Sequence, residues 1–281
     1  MTTSENTQPV VVVKVGGDVL QGAVERDGIA SNVKDLVDAG WRVVLLHGGG
    51  PQVNTLQEKH GLVPNKVAGR RITSKEDLLV VKQAICGEVN VNLVQTLQQE
   101  GINAFGCNGA SGKLITATKR PPRIMSGSGE KPIDFGEVGD VVAVNDVLLN
   151  SLTVLGLVPV IATLGVEQNS GRVFNINADT TVVQIARALK ADLLLLTTAV
   201  GAIYRDLDLP DSRIAQINAE QAHALIKEGV IQGGMIPKVE EALSILNDGV
   251  KNIAIVGPQI KGAFLDVAKG GGNKGTTIRL V

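Results

Sequence analysis

A lysine and two glycines directly after a buried strand are the first residues in this chain whose types could do chemistry. Val10–Val13 are four consecutive β-branched residues, which predicts a buried strand, and Lys14, Gly16 and Gly17 come at its carboxyl end. Open α/β sheets bind ligands at this end of their strands, where paired glycines let backbone N–H groups approach a phosphate. The turn therefore predicts a phosphate site, and an ordinary strand-to-helix turn is the alternative.

A second glycine turn follows the next predicted strand, Arg42–His47. Gly48, Gly49 and Gly50 come directly after that strand, and Pro51 suits the first turn of a helix. Glycines that precede a helix N-terminus predict an anion site, because the free N–H groups of the helix point toward the ligand. A flexible turn is again the alternative.

Two further motifs in the second half of the chain complete a set suited to phosphoryl transfer. They are Asn175–Asp179, which opens a predicted helix, and Gly233–Lys238, which leads into another. The transition state of phosphoryl transfer carries spread negative charge, so the protein mainly positions groups and supplies positive charge. Lys14 and Lys238 could flank the transferred group, and Asp179 could pair with both. A carboxylate acceptor would need no general base.

Composition and charge exclude several classes of protein. The chain has 281 residues, of which 44% are hydrophobic and 2% aromatic, so its core has to be aliphatic, and its net charge of −1 gives no footprint for nucleic acid. Cys86 and Cys107 show no metal spacing and suggest reduced thiols of a cytoplasmic protein. The N-terminus lacks the pattern of a signal peptide, and no apolar run is long enough to span a membrane.

Strands that alternate with helices along the whole length predict an α/β fold with a mainly parallel sheet. Most elements follow from hydrophobic periodicity and from glycine or proline at their ends. Among the helices, the pattern predicts one that ends near Cys86, a separate one over Glu88–Gln99, one over Val141–Leu155 and one over Phe174–Leu189.

The four motifs, in this order, resemble the amino acid kinase family, and within it the acetylglutamate kinases. Gly69–Thr73 and Val138–Asp140 add to the resemblance, which runs from Lys14 to the end of the chain near Gly275–Ile278. It implies an open αβα sandwich with a mainly parallel central sheet of about eight strands. It also implies that residues 1–170 bind an acylated amino acid and form a homodimer, and that residues 171–281 bind ATP.

The resemblance implies a role for each matching residue. The catalytic residues would be Lys14, Lys238 and Asp179, with the aspartate organising the two lysines. The remaining positions would be Gly48, Gly49, Arg71, Asn175 and Asn177 for the substrate, and Gly16, Gly17, Thr197, Thr198, Gly201, Ile203, Ile231 and Met235 for ATP. The Mg²⁺ ion would be held mainly by the nucleotide phosphates and not by protein ligands.

The activity that the resemblance implies is ATP-dependent phosphorylation of the side-chain carboxylate of N-acetyl-L-glutamate, in arginine synthesis. Two alternatives stay open. One is a kinase of the same fold that acts on N-modified 2-aminoadipate in lysine synthesis, with a carrier protein docked on Arg70, Lys119, Arg120 and Arg123. The other is a non-catalytic sensor of amino acids or nucleotides.

Two features depart from what the resemblance leads us to expect. Thr198 replaces an aspartate that the family usually has in the nucleotide site, which leaves the nucleotide contacts open. Only thirteen residues precede Lys14, and they have no apolar helical stripe. The arginine-inhibited members of the family have an extra N-terminal helix that links dimers into a hexamer. We therefore expect a dimer without arginine feedback.

Overall fold

An eight-stranded sheet forms the centre of the molecule. The computed structural model describes residues 8–67, 69–124, 131–233, 235–246 and 250–279, apart from the side chains of residues 237, 238, 241 and 245. The described strands are β1 (Val10–Val15), β2 (Arg42–His47), β3 (Lys66–Val67), β4 (Arg70–Arg71), β5 (Ala104–Asn108), β6 (Ile115–Lys119), β7 (Val138–Val144), β8 (Val158–Ala162), β9 (Leu164–Val166), β10 (Val173–Ile176), β11 (Leu193–Thr197), β12 (Ile203–Tyr204), β13 (Arg213–Ile214), β14 (Gln216–Ile217), β15 (Ile253–Val256) and β16 (Gly275–Ile278).

The order of the strands in this sheet is β14-β16-β15-β11-β1-β2-β8-β5. Every neighbouring pair is parallel except β15 and β16, which are antiparallel. The predicted α/β fold with a mainly parallel sheet of about eight strands is therefore confirmed. β1 lies between β2 and β11, so Lys14 at its end lies near the middle of the sheet.

Helices cover both faces of the sheet. The described α-helices are α1 (Ala23–Asp38), α2 (Gly50–Lys59), α3 (Lys75–Val81), α4 (Asn90–Gln99), α5 (Asp146–Val154), α6 (Ala178–Ala188), α7 (Ala219–Lys227), α8 (Met235–Leu246) and α9 (Ala263–Ala268). Val11 and Val13 pack in the cluster that contains α1, α4 and α9, whereas Val10 and Val12 pack in the cluster with α5, α6, α7 and α8. This alternation buries both faces of β1, as its run of valines predicts.

The predicted helix over Val141–Leu155 is wrong in its first part. β7 occupies Val138–Val144 and pairs with β6, because its β-branched residues suit a strand better than a helix. The helix begins only after Asn145, whose Oδ1 accepts a hydrogen bond from the backbone N–H of Leu148 at 3.0 Å. With β6, β9 and β10, β7 forms a small closed barrel beside the main sheet.

Two other predicted helix boundaries differ from the structure. Phe174 belongs to β10, and α6 begins at Ala178. The break predicted between Cys86 and Glu88 does not occur, because a π-helical segment, Lys82–Val89, joins α3 directly to α4. Val81, just before this segment, and Ile85, within it, line the cavity described below.

Candidate active site

An ion pair between Lys14 and Asp179 lies at the carboxyl end of β1. The Lys14 Nζ atom is 2.9 Å from Asp179 Oδ1, and the Lys14 side chain is 8% exposed. The hydroxyl of Thr197, at the end of β11, donates to the Lys14 carbonyl at 3.0 Å and so holds the two strand ends together. Asp179 is the second residue of α6, where the helix dipole favours a carboxylate.

This ion pair faces a cavity of about 340 Å³, which we call the central cavity. Nine of the sixteen residues that the sequence assigned to the site line it. They are Lys14, Gly16, Gly17, Gly48, Gly49, Arg71, Asn175, Asn177 and Asp179. Thus the structure brings together the two glycine turns, one of the two lysines, the aspartate and every residue assigned to the substrate.

The two glycine turns touch each other on the wall of the central cavity. A Cβ atom on Gly17 would lie 2.9 Å from the backbone nitrogen of Gly50 and 2.9 Å from Cδ of Pro51. Gln52 ties the turns together, since its Nε2 donates to the Gly17 carbonyl at 2.9 Å. Only glycine permits this approach, which leaves backbone groups uncovered beside the cavity.

Arg71 reaches the central cavity from the β3–β4 hairpin. Its guanidinium donates to the side-chain oxygens of Gln57 and Asn54 and to the Gly50 carbonyl, the last at 3.2 Å. These acceptors are neutral. Burial lowers the pKa of Arg71 from its ordinary value, and the charge of Asp77 partly opposes that effect. Among the described residues, no carboxylate bonds directly to the positive charge that Arg71 presents.

Asn175 and Asn177 have different surroundings. The Nδ2 of Asn175 donates to the hydroxyl of Thr73 at 3.1 Å, and its side chain lies on the cavity wall. The Oδ1 of Asn177 accepts from the backbone N–H of Thr180 at 2.9 Å and so caps α6. Asn177 thereby fixes the first turn of the helix that carries Asp179.

The residues assigned to ATP fall into three groups: two line the central cavity, three line a second cavity and three line neither. Gly16 and Gly17 line the central cavity, whereas Ile203, Ile231 and Met235 line a second cavity of about 590 Å³. Thr197, Thr198 and Gly201 contribute to neither lining. Thr197 and Thr198 are buried, and the Thr198 hydroxyl accepts from the Gly201 N–H at 2.9 Å.

The second cavity is lined by residues 200, 202–207, 228–232 and 235. Its apolar members include Ala202, Val230 and the three predicted residues, while Arg205 and Glu228 are exposed. The position of Lys238 lies in α8, which begins at Met235, but the side chain of Lys238 is outside the described part of the structure.

Sequence reasoning missed one buried residue beneath the second glycine turn, His47. Its Nδ1 lies 2.9 Å from the Gly48 carbonyl, and its Nε2 lies 2.9 Å from the Nδ2 of Asn90. Burial lowers the pKa of His47 from 6.5 to about 4, so the ring is neutral near pH 7. The available signal was its place in the run His47–Pro51, directly before the second glycine turn.

Two further cations on the cavity wall were not assigned to the substrate or to ATP. One is Lys66, and the other is Arg120, which was expected only in the patch for a carrier protein although its side chain is 5% exposed. Arg120 lines the central cavity, and its Nε donates to Oδ1 of Asp140 at 2.8 Å. Lys66 faces the same cavity from β3, directly across from Arg71. The pKa of Lys66 is lowered mainly by burial and further by the charge of Arg71. The segment that contains Lys66 and Arg71 is polar and has no strand pattern, so the pairing of β3 with β4 could not be derived from it.

Comparison with known proteins decides the family. The Amino acid kinase family model matches residues 9–257. The chain belongs to the amino acid kinase family. It is 41% identical over 268 residues to the acetylglutamate kinase of Anaeromyxobacter dehalogenans strain 2CP-C, with 95% of this chain and 98% of that protein covered. It is 37% identical over 257 residues to the acetylglutamate kinase of Methanocaldococcus jannaschii, covering 91% and 85%.

Solved structures share the fold. The smu.665 protein of Streptococcus mutans UA159 superimposes with a TM-score of 0.72 at 28% identity, over 97% of this chain and 99% of that one. A carbamate kinase of Giardia superimposes with a TM-score of 0.68 at 18% identity, over 97% and 99%. At that identity the second match shows the fold alone. Among the described residues, no helix is both long and apolar enough to cross a membrane.

Proposed function

We propose that this kinase transfers a phosphoryl group from ATP to the side-chain carboxylate of N-acetyl-L-glutamate, in arginine synthesis. The observation that carries the proposal is the Lys14–Asp179 ion pair, which faces the central cavity beside both glycine turns. The relatives named acetylglutamate kinase, at 41% and 37% identity over most of the chain, support this substrate over N-modified 2-aminoadipate.

The charge of the central cavity suits an anionic substrate. Its lining contains more cationic than acidic side chains, namely Lys14, Lys66, Arg70, Arg71 and Arg120 against Asp18 and Asp179. We assign the α-carboxylate of the substrate to Arg71, whose planar fork can bind a carboxylate through two parallel hydrogen bonds. Asn175 would bind the acylamino part from the neighbouring wall.

In the transfer step, a side-chain carboxylate oxygen attacks the γ-phosphorus, and the bond from that phosphorus to the bridging oxygen of ADP breaks. The acceptor is already an anion, so no proton has to be removed. Lys14 would stabilise the charge on the transferring group, and Asp179 would hold Lys14 in place. We assign the same task to Lys238 from the other side. Gly16, Gly17, Gly48 and Gly49 would offer backbone N–H groups.

The nucleotide is assigned to the side of the second cavity. Ile203, Ile231 and Met235 provide an apolar surface for the base, and Thr197, Thr198 and Gly201 would border the phosphates and the ribose. Within the described residues, no group of three or more His, Cys, Asp or Glu side chains could hold a metal ion. We therefore propose that Mg²⁺ arrives on the ATP phosphates, whose charge it would partly neutralise.

The remaining parts of the proposal concern organisation. We propose that residues 1–170 bind the acylated amino acid and residues 171–281 bind ATP, and that the protein is a cytoplasmic homodimer without arginine feedback. The exposed edge strand β5 and the exposed side chains of Phe105 and Val91 support a dimer through the first part. Light scattering with and without arginine tests this, and a hexamer would contradict it.

The activity is tested with purified protein, Mg-ATP and three acceptors: N-acetylglutamate, N-acetyl-2-aminoadipate and free glutamate. Hydroxylamine traps the acyl phosphate, and we expect the hydroxamate mainly from N-acetylglutamate. A preference for the aminoadipate derivative would contradict the proposed substrate. Binding of N-acetylglutamate by calorimetry, with no hydroxamate from any acceptor, would show a sensor instead of an enzyme.

A further inference from the structure

The buried side chains of His47 and Asn90 form a hydrogen-bonded pair behind the second glycine turn. His47 is the last residue of β2 and is fully buried, and Asn90 is the first residue of α4. The Nδ2 of Asn90 lies 2.9 Å from His47 Nε2, 2.9 Å from the Val160 carbonyl and 3.4 Å from the Cys107 carbonyl. The pair therefore links β2 to the two strands beyond it, β8 and β5.

The surrounding carbonyl groups determine which nitrogen of His47 carries the proton. The carbonyls of Val160 and Cys107 can only accept, so the Asn90 atom that faces them has to be the amide nitrogen. The same nitrogen donates to His47 Nε2, which must then be unprotonated. In the neutral ring Nδ1 carries the hydrogen and donates it to the Gly48 carbonyl at 2.9 Å.

This hydrogen bond fixes the peptide that joins Gly48 to Gly49. A trans peptide is planar, and its carbonyl and N–H point in opposite directions. With the Gly48 carbonyl held toward the buried ring, the Gly49 N–H points away from it. Among the described residues the Gly49 N–H has no hydrogen-bond partner, although Gly48 and Gly49 both line the central cavity.

Apolar packing restrains the same turn from another side. A Cβ atom on Gly49 would lie 3.1 Å from Cγ1 of Ile85 and 3.4 Å from Cγ2 of Val89. Both side chains belong to the π-helical segment that precedes Asn90. Space for Asn90 comes from Gly106, where a Cβ would lie 2.5 Å from Asn90 Oδ1. The turn is thus held by the bond from His47, by backbone bonds from the Gly48 N–H to the Val15 carbonyl at 3.2 Å and from the Val53 N–H to the Gly49 carbonyl at 2.9 Å, and by close contacts.

We propose that His47 is a positioning residue for phosphoryl transfer: its Nδ1–H, in the tautomer that Asn90 sets, directs the Gly49 N–H toward the reacting oxygens in the central cavity. The inference rests on the proposed function for the identity of those oxygens. On this proposal His47 touches neither substrate, but it determines the direction of the Gly49 N–H, which does contact the substrate.

Two substitutions, each of which keeps a polar atom at the position of one ring nitrogen, separate this role from simple packing. In His47→Asn the amide nitrogen can take the place of Nδ1 and keep the bond to Gly48, whereas in His47→Gln the amide oxygen can take the place of Nε2 and accept from Asn90. We expect His47→Gln to lower kcat about 10–100-fold, less than the roughly 10²–10³-fold lost when an oriented donor is removed outright, because the Gly49 N–H is redirected and not deleted. The KM for ATP should stay unchanged. His47→Asn should keep kcat within about threefold of wild type on the same scale.

Measurements of Tm and of the His47 tautomer distinguish a positioning role of His47 from a purely structural one. Both variants lose one hydrogen bond, so we expect similar decreases in Tm, and equal losses of kcat in the two variants would overturn the proposal. Nitrogen-15 NMR of histidine-labelled wild type should show His47 as the neutral Nδ1–H tautomer near pH 7. Observation of the Nε2–H tautomer would overturn the proposed role of His47, whether or not the protein is an active kinase. A wild-type protein with the Nδ1–H tautomer but no kinase activity would contradict only the proposed function.

Discussion

The central cavity and the second cavity are built in different ways. The central cavity lies at the ends of β1 and β2, and buried polar side chains such as His47 and Thr197 fix its backbone. The second cavity is larger, about 590 Å³ against 340 Å³, and it is formed by short strands, loops and helix ends. Groups that must meet reacting atoms are thus held by oriented hydrogen bonds, while the region assigned to the base offers mainly apolar contact.

This difference has an energetic consequence. Hydrogen bonds to charged or buried groups depend steeply on geometry, so small displacements in the central cavity should affect catalysis. Apolar contact is nearly independent of direction, so changes in the second cavity should affect binding in proportion to the area lost. Substitutions at the reacting groups of the central cavity should therefore change kcat, whereas substitutions in the second cavity should change the KM for ATP.

The largest effect is expected at Lys14. Lys14→Met removes the cation that we assign to the transferring group and its ion pair with Asp179, so kcat should fall at least about 10²–10³-fold. Both KM values should change little, as steady-state rates will show. Lys34→Met is the matched control, because Lys34 pairs with Asp38 on an exposed helix surface. A Lys14→Met enzyme with near-normal kcat would contradict the assignment.

A pH dependence of stability should arise from His47. Its pKa is about 4 in the folded protein against an ordinary value of 6.5, because burial disfavours the charged ring. Below pH 6.5 the unfolded chain binds the extra proton, so the free energy of unfolding should fall between pH 6.5 and 4, by about 3 kcal/mol in all. Urea unfolding of wild type and His47→Asn measures this. Identical pH profiles would show that His47 does not titrate in this way.

Arg71 should control binding of the acylated amino acid. Arg71→Lys keeps a positive charge but loses the planar fork and its bonds to Gln57 and Asn54. We expect the KM for N-acetylglutamate to rise about 10–100-fold, while the KM for ATP stays constant. Arg172→Lys, at the exposed pair with Glu137, is the control. An equal rise in both KM values would speak against a specific contact with the carboxylate.

The contact between the glycine turns can be tested with two alanine substitutions. In Gly17→Ala the new Cβ would meet Gly50 and Pro51 at 2.9 Å, so we expect a loss of about 1–3 kcal/mol in the free energy of unfolding. In Gly50→Ala no atom lies within 4 Å of the new Cβ, and stability should hardly change. Urea unfolding compares the two. Equal stability would mean that the turns can separate freely.

The smallest effect is expected in the second cavity. Met235→Ala removes apolar surface from its lining, so the KM for ATP should rise about 3–10-fold, equivalent to roughly 1 kcal/mol. We expect kcat to stay within about twofold. Leu155→Ala, an exposed leucine elsewhere on the surface, serves as control. A large fall in kcat for Met235→Ala would mean that the two cavities are not functionally separate.

The sequence is most informative where a residue's chemistry and its position along an element coincide. The valines of β1 predict burial on both faces, so the position of Lys14 at the carboxyl end of a central strand follows from local pattern alone. Glycines next to strand ends likewise mark the turns. The roles of Arg71 and Asn175 were implied by the family resemblance, and the structure places both on the cavity wall.

Features that depend on distant pairing could not be predicted in this way. The bond between His47 and Asn90 joins residues 43 positions apart, and neither has a local pattern that indicates it. β7 has the spacing of a helix in part of its length, and only its pairing with β6 shows it to be a strand. Asn177 resembles a binding residue in sequence, while its side-chain oxygen caps α6.

The π-helical segment Lys82–Val89 makes the fold sensitive to chain length at one place. An α-helix turns about 100° per residue, and a π-turn accommodates one residue more than an α-turn. Loss of that extra residue would let the helix continue as regular α-helix, with the turns on either side close to their present register. Asn90 would then still face His47, but the wide turn that places Ile85 and Val89 against Gly49 would be lost. The damage from a one-residue deletion in this segment should thus fall on the packing of the second glycine turn more than on the bond between Asn90 and His47.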